Sequence, residues 1–359
     1  MLRPKKNMCR WLISSPSRLV GEYQSNEILI THAWQDLMAP NPRRSQFKEG
    51  PTRISFYIIS CEVEDNIEEG VRFQVPNYHW IGDFFAVCLG IFFGKRFDHH
   101  GLTEAKGSFC LPSYHSASEI SSYELPPFNS KPRIDLEMEL KLDHLKKIAP
   151  ILEQKCKNKR ALEVLFTAGN FYLRALRFYD EQPEMAYLDL VTAGEILSNY
   201  YDYDDEVLLN EDFRNLLKEI QEKLEGGEKK ANIIRSRLYQ VRKKYKLTVR
   251  RLLNDNFFIK TQAKESFAAL RKEDIEASLL ASYDLRSRYI HTGERFGGKI
   301  RDWGHLVAER IVGEPVVDDK DYKKILMKAP TFLGLERIMR YCLLCFIHTE
   351  LCPIDPQLD

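Results

Sequence analysis

Tyr283-Asp284-Leu285-Arg286-Ser287-Arg288-Tyr289-Ile290-His291-Thr292-Gly293 places two guanidiniums, a hydroxyl and an imidazole within about two helical turns. Read with the residues before it, the stretch predicts a helix over Lys272 to His291. At about 100° per residue, Ile275, Leu279, Tyr283, Arg286 and Ile290 then fall on one stripe. Arg286 interrupts that apolar face. Its charge cannot be neutralised, so it needs a partner or a water-filled cleft. Glu195, on a predicted helix Pro183 to Tyr200 with Leu188, Val191 and Thr192 shortly before it, is the expected partner. His291 lies about 140° round the helix from Arg286 and emerges from its last turn, where Gly293 suits a left-handed cap. Arginine matches phosphate oxygens with a planar fork of donors, and histidine gives and takes protons near neutrality. Together they suit phosphodiester chemistry.

Outward from this helix, the chain from Leu140 onward is helical in period with few breakers. Expected helices run Leu140 to Cys156, Lys159 to Tyr179, Pro183 to Tyr200, Glu211 to Glu225, Lys229 to Lys244, Thr248 to Asn254, Gly304 to Val312 and Leu335 to Leu351. Residues before about 140 read differently. Glu27 to Thr31, Arg53 to Val63 and Gly70 to Val75 are β-branched and aromatic runs between turn residues, and Trp80 to Phe93 is a buried helix. The Ser/Pro-rich stretch Pro112 to Pro132 reads as a linker or long loop. The expected architecture is α+β: a mixed, β-rich amino-terminal domain over 1–139, then an all-α bundle over 140–359.

The chain has 359 residues, 44% hydrophobic and 29% charged, with a formal charge of +1. That composition excludes a disordered chain and a globally basic nucleic-acid-coating protein, so any nucleic-acid contact must come from a local patch. Lys229 to Arg251 offers one, with ten Lys or Arg and no acid. Arg235, Arg237, Arg242, Lys243, Lys244 and Arg250 would follow a phosphate backbone while Tyr239 and Tyr245 stack on bases; the alternative is a solvated helix face. Pro4, Lys5, Lys6 and Arg10 break any amino-terminal leader pattern, and Trp80 to Phe93 is too short to span a bilayer, so a cytoplasmic location without membrane contact is expected. The eight cysteines are scattered, which points to reduced thiols. Cys342, Cys345, His348 and Cys352 resemble a ligand string, but an apolar helix core accounts for them; no metal or cofactor is expected. Gly94 to Gly101, with His99 and His100, could contact phosphate or a metal, but a surface turn is the favoured reading. No phosphate-binding loop, nucleophile elbow or zinc-protease motif is present.

The undecapeptide Tyr283 to Gly293 resembles the Arg, four to six residues, His signature of the HEPN superfamily, specifically its Apea-like branch. The helix around Leu188-Asp189-Leu190-Val191-Thr192-Ala193-Gly194-Glu195 is similar to that family's preceding core helix. The resemblance spans roughly residues 140 to 350. It implies a helical bundle that pairs into a homodimer and brings two motif copies into a composite, metal-independent endoribonuclease site. By position, Arg286 and His291 would be the signature pair. Ser287 stands where many members have Asn, Asp or His; from the residues alone, Arg288 competes for the phosphate and Glu195 pairs with Arg286. Apea-like members act in defence against phage, so a phage-derived trigger or a neutralising partner is implied alongside RNA. Two other readings of the same residues are a non-catalytic module for dimerisation and RNA or partner binding, and a pocket for a nucleotide signal.

Overall fold

The computed structural model describes residues 7–33, 55–63, 78–105, 108–109, 124–136, 138–237, 240–301, 307–355 and 358. Strand β1 (Asn7–Ser15) lies in the middle of a six-stranded antiparallel sheet with β2 (Tyr23–Gln24), β3 (Ile28–His32), β4 (Ser55–Val63), β5 (Asp98–Ala105) and β6 (Ser108–Phe109), in the order β2-β3-β4-β1-β5-β6. Alternation explains its two faces. Cys9, Trp11 and Ile13 of β1, Ile28 and Ile30 of β3, and Tyr57, Ile59 and Cys61 of β4 are buried together. Helix α1 (His79–Phe93) covers that face; the Trp11 indole packs on Phe85 and donates to the Tyr78 carbonyl at 3.0 Å. On the other face Met8, Arg10, Ile58, Ser60, Glu62 and Thr103 line an open trough of mixed polarity.

The helical part follows as α2 (Ala149–Leu152), α3 (Lys159–Phe178), α4 (Pro183–Ser198), α5 (Asp205–Leu208), α6 (Glu211–Lys223), α7 (Gly227–Arg237), α8 (Val241–Leu252), α9 (Asn256–Ile259), α10 (Ile275–Thr292), α11 (Gly297–Ile300), α12 (Lys320–Lys328) and α13 (Phe332–Glu350). The chain is therefore α+β. Asn158, Asn210, Asp319 and Thr331 cap α3, α6, α12 and α13 with side-chain oxygens. Helix α13 is buried from Phe332 to Ile347 and packs on α1, α3, α4 and α8, so sheet and helices share one hydrophobic core. The expected division near residue 140 runs through this shared core.

Several sequence expectations need correction. Leu140 to Cys156 is a 3-10 run, Leu142–Ile148, followed by the short α2, because Pro150 lacks the N–H that an unbroken helix would need. The basic stretch breaks at Gln240, whose φ of 42° is left-handed, and so yields α7 and α8. Residues 307–312 are not helical; Glu309 is fully buried there and Arg310 bridges to Pro330. Gly94 to Gly101 is not a turn throughout, since Gly94 ends α1 in the left-handed conformation and His99 and His100 belong to β5. Gly70 to Val75 lies outside the described residues. No helix among the described residues is long and apolar enough to cross a membrane, and no disulfide joins their cysteines.

A buried ionic cluster ties the halves together. Arg133 forks onto Glu336 with two contacts of 2.9 Å and meets Asp135 at 3.3 Å, while the Tyr172 hydroxyl donates to Glu336 at 2.6 Å. Arg337 binds Glu309 at 2.9 Å and the carbonyls of Phe257 and Lys260. Arg340 donates to the carbonyls of Ile91 and Phe92 at 3.1 and 2.9 Å. A Cβ on Gly94 would collide with the Arg340 guanidinium, so this glycine serves both a positive φ and a close approach. Lys95 is fully buried and anchors the segment 126–131 through the carbonyls of Asn129 and Lys131 and the Asn129 side chain.

Candidate active site around the motif helix

Helix α10 lies against α4, α8 and α12. Its inner face is Ile275, Ser278, Leu279, Ser282 and Leu285, all buried, with Tyr289 packed edge-on against Phe296 at 5.9 Å. The stripe drawn from sequence is therefore rotated: Ile290 is 52% exposed. Arg286 sits at the edge of the inner face. Gly293, with φ 71°, closes the helix through its N–H to the Tyr289 carbonyl at 2.9 Å, as its position predicts.

The expected partner of Arg286 is in place. Its Nη2 lies 3.1 Å from the Glu195 carboxylate, with 23% and 13% of the two side chains exposed. The guanidinium is 5.6 Å from the ring centroid of Tyr283, which in turn packs on Tyr245 at 5.9 Å. Gly194 lets the Tyr245 ring press close to α4, placing α8 beside the site. Burial raises the Glu195 carboxyl above its ordinary range, opposed by Arg286 and then by the Tyr283 hydroxyl. Burial also raises Tyr283, with Glu195 adding to the effect. Only one terminal nitrogen of Arg286 is committed to Glu195, and its Nε is buried without an acceptor. A guanidinium in this state has donors left for an incoming anion.

The other candidates separate. His291 is exposed on the last turn and meets no partner among the described residues; helical geometry sets it about 140° from Arg286. Ser287 is half-buried. Arg288 is committed to two carboxylates, Glu294 and Asp319, and lies 4.8 Å from the Tyr322 ring centroid, which diminishes it as a rival for phosphate. Its hydrogen bonds to these acids raise its pKa. Sequence reasoning missed both acids, although Glu294, just past the cap, was in view.

The basic run is largely engaged as well. Arg242 forks onto Asp284 at 2.8 and 2.7 Å, Lys243 donates to the Leu208 carbonyl at 3.0 Å, and Arg250 to the Leu253 carbonyl at 3.0 Å. Lys244 is partly exposed. Arg235 and Arg237 lie on α7, and Tyr239 lies outside the described residues. Tyr245 corrects the expectation of a base-stacking platform: it is fully buried, its hydroxyl 3.2 Å from that of Ser282. The string on α13 is core. Cys342 and Cys345 are buried, burial pushes the Cys345 thiol up to about 12, and His348 accepts the Ile354 amide at 3.1 Å.

No protein-family model matches this chain, and neither a curated protein nor a solved structure matches it.

Proposed function

We propose that the chain is a HEPN-type, metal-independent endoribonuclease acting as a homodimer, with Arg286 and His291 as its signature pair. The observation that carries this reading is the state of α10. Arg286 is positioned by Glu195 yet keeps uncommitted donors, and five residues on, at the same helix's capped end, an exposed imidazole has no partner among the described residues. Ile290, exposed beside His291, gives a second copy an apolar spot to cover. In the proposed reaction the ribose 2′-oxygen bonds to the adjacent phosphorus and the bond to the 5′-oxygen breaks. The 2′-hydroxyl proton passes to His291 of one copy and water protonates the departing 5′-oxygen, while Arg286 comes from the other copy. Arg286 stabilises the extra charge on the five-coordinate phosphorus. The products are a 2′,3′-cyclic phosphate and a 5′-hydroxyl. In this reading cleavage serves defence against phage.

A second reading, a non-catalytic module that dimerises and binds RNA or a partner, is favoured by the pairing of Arg288 and Arg242 with carboxylates. Purified protein incubated with total RNA in chelator separates the two. Cleavage with cyclic-phosphate ends, lowered about a hundredfold or more in Arg286→Ala and His291→Ala, supports the nuclease. RNA retained but intact with the parent protein overturns it in favour of the second reading.

A further inference from the structure

We propose that His79, Asp83 and His99 form a binding site for a divalent transition-metal ion of the zinc class. The site lies outside the motif helix, where α1 begins and β5 passes it. His79 and Asp83 are four residues apart on α1 and so share one face of the helix, the spacing by which helices present paired metal ligands. His99 comes from β5 and turns toward α1, while its neighbour His100 turns to Ser14 and Phe56. His99 Nδ1 is 3.2 Å from Asp83 Oδ1, and His79 Nε2 is 3.9 Å from Asp83 Oδ2. One ligand atom from each of the three lies within 4.8 Å of the other two.

Three features set this cluster apart from a surface coincidence. The His99 side chain is only 2% exposed, so its approach to Asp83 is fixed by the fold. Gly82 makes that approach possible, because a Cβ there would overlap the imidazole. The His79 and His99 rings lie 4.6 Å apart, centroid to centroid, at an interplanar angle of 41°. A tetrahedral ion with bonds of about 2.1 Å sets its ligand atoms about 3.4 Å apart. His79, with a 65% exposed side chain, can close the remaining distance by rotating.

Two imidazoles and one carboxylate suit zinc, nickel, cobalt or ferrous ions, and poorly suit magnesium or calcium, which take oxygen ligands. The exposed side at His79 leaves positions for water. Arg177, which acts on Asp83, and the amino end of α1 both oppose a cation, and His99 Nε2 lacks an outer acceptor. The expected affinity is therefore modest, far from that of a closed four-ligand site.

The test uses the untagged full chain stripped with chelator, titrated with Zn2+ by calorimetry and with Co2+ by visible absorption. One equivalent bound with nitrogen and oxygen ligation is expected, weakened at least about tenfold in His79→Ala and in Asp83→Asn. His79 is exposed, so its variant folds whatever the role of Asp83. No binding by the parent, unchanged affinity in His79→Ala, or a thiolate-to-cobalt charge-transfer band would each overturn the proposal. RNA cleavage in chelator is a separate measurement, so the two readings fail independently.

Discussion

The chain uses arginine in two opposite ways, once in its core and once at the rim of α10. In the core, Arg133 and Arg337 spend both terminal nitrogens on carboxylates or carbonyls, and Arg340 spends its Nε and one terminal nitrogen on carbonyls while the other faces Asp135 at 3.6 Å. At the rim, Arg286 commits one nitrogen to Glu195. Nε does not distinguish the two regions, since it lacks an acceptor in Arg133, Arg286 and Arg337 alike. The terminal donors do. A buried cation is tolerable only when its partners offset the lost hydration, whereas a half-exposed one can hold donors in reserve for a ligand. Charge alone does not mark a site; unspent charge beside solvent does.

The largest effect should come from the core. Glu336→Gln leaves Arg133 charged, buried and without its bidentate carboxylate, and should cost about 3–5 kcal/mol in denaturant unfolding. A loss under about 1 kcal/mol would break the comparison, because the core cluster would then be no more demanding than a surface pair.

Acid titration sharpens the contrast through its sign. Burial alone would raise Asp135, but Arg133, Arg340 and Arg337 outweigh it and hold the carboxyl below its ordinary 3.8. Its stabilisation is thus complete above pH 3.8 and is lost as pH falls through the lower folded value. The gap in stability between the parent protein and Asp135→Asn should therefore narrow on acidification below pH 3.8. Glu195 behaves oppositely. Its folded pKa is raised above 4.5, so what protonation contributes is complete below pH 4.5 and is lost as pH rises through the folded value. Glu195→Gln should consequently be as stable as the parent at neutral pH or slightly more so, and the two curves should converge below pH 4.5. Clear destabilisation at neutral pH would make Glu195 a structural pin like Glu336. A carboxylate whose ionised form works against stability is what a functional site leads one to expect.

The same contrast explains what could be read from the sequence. Helix α10, its cap at Gly293 and the Glu195–Arg286 pair were legible, because an arginine on an apolar stripe demands a partner and a nearby helix held one acid at the right height. Glu336, Arg337 and Arg340 raise the same demand on the apolar α13. They escaped notice because Arg133 and Asp135 follow directly on a Ser/Pro-rich stretch that reads as a linker, and nothing local says that they fold into the core. Strand β1 was missed although Cys9, Trp11 and Ile13 alternate, since Met1 to Leu12 was weighed only as a leader, and rejected as one. The meeting of His99 with His79 and Asp83 depends on how β5 passes α1, and no sequence period encodes such a crossing. The rotation of the α10 stripe was also invisible, because Ser278 and Ser282 are buried where a pattern of apolar residues does not look for serine.

The smallest stability effect belongs to the residue with the largest expected effect on chemistry. His291 is exposed and makes no hydrogen bond, ion pair or ring contact with another described residue, so His291→Ala should change unfolding stability by no more than about 0.5 kcal/mol. Its cleavage of RNA should fall by about a hundredfold or more, the usual range for a proton-transfer group. Core variants invert that ratio, losing stability first and activity only with it. Mixing His291→Ala with Arg286→Ala protomers then addresses the composite site directly. If each active centre draws on both copies, a fraction of mixed dimers regains one intact pair and cleavage partly returns. If both residues act within one protomer, the mixture is as inactive as either variant alone, and the shared centre across a dimer is lost.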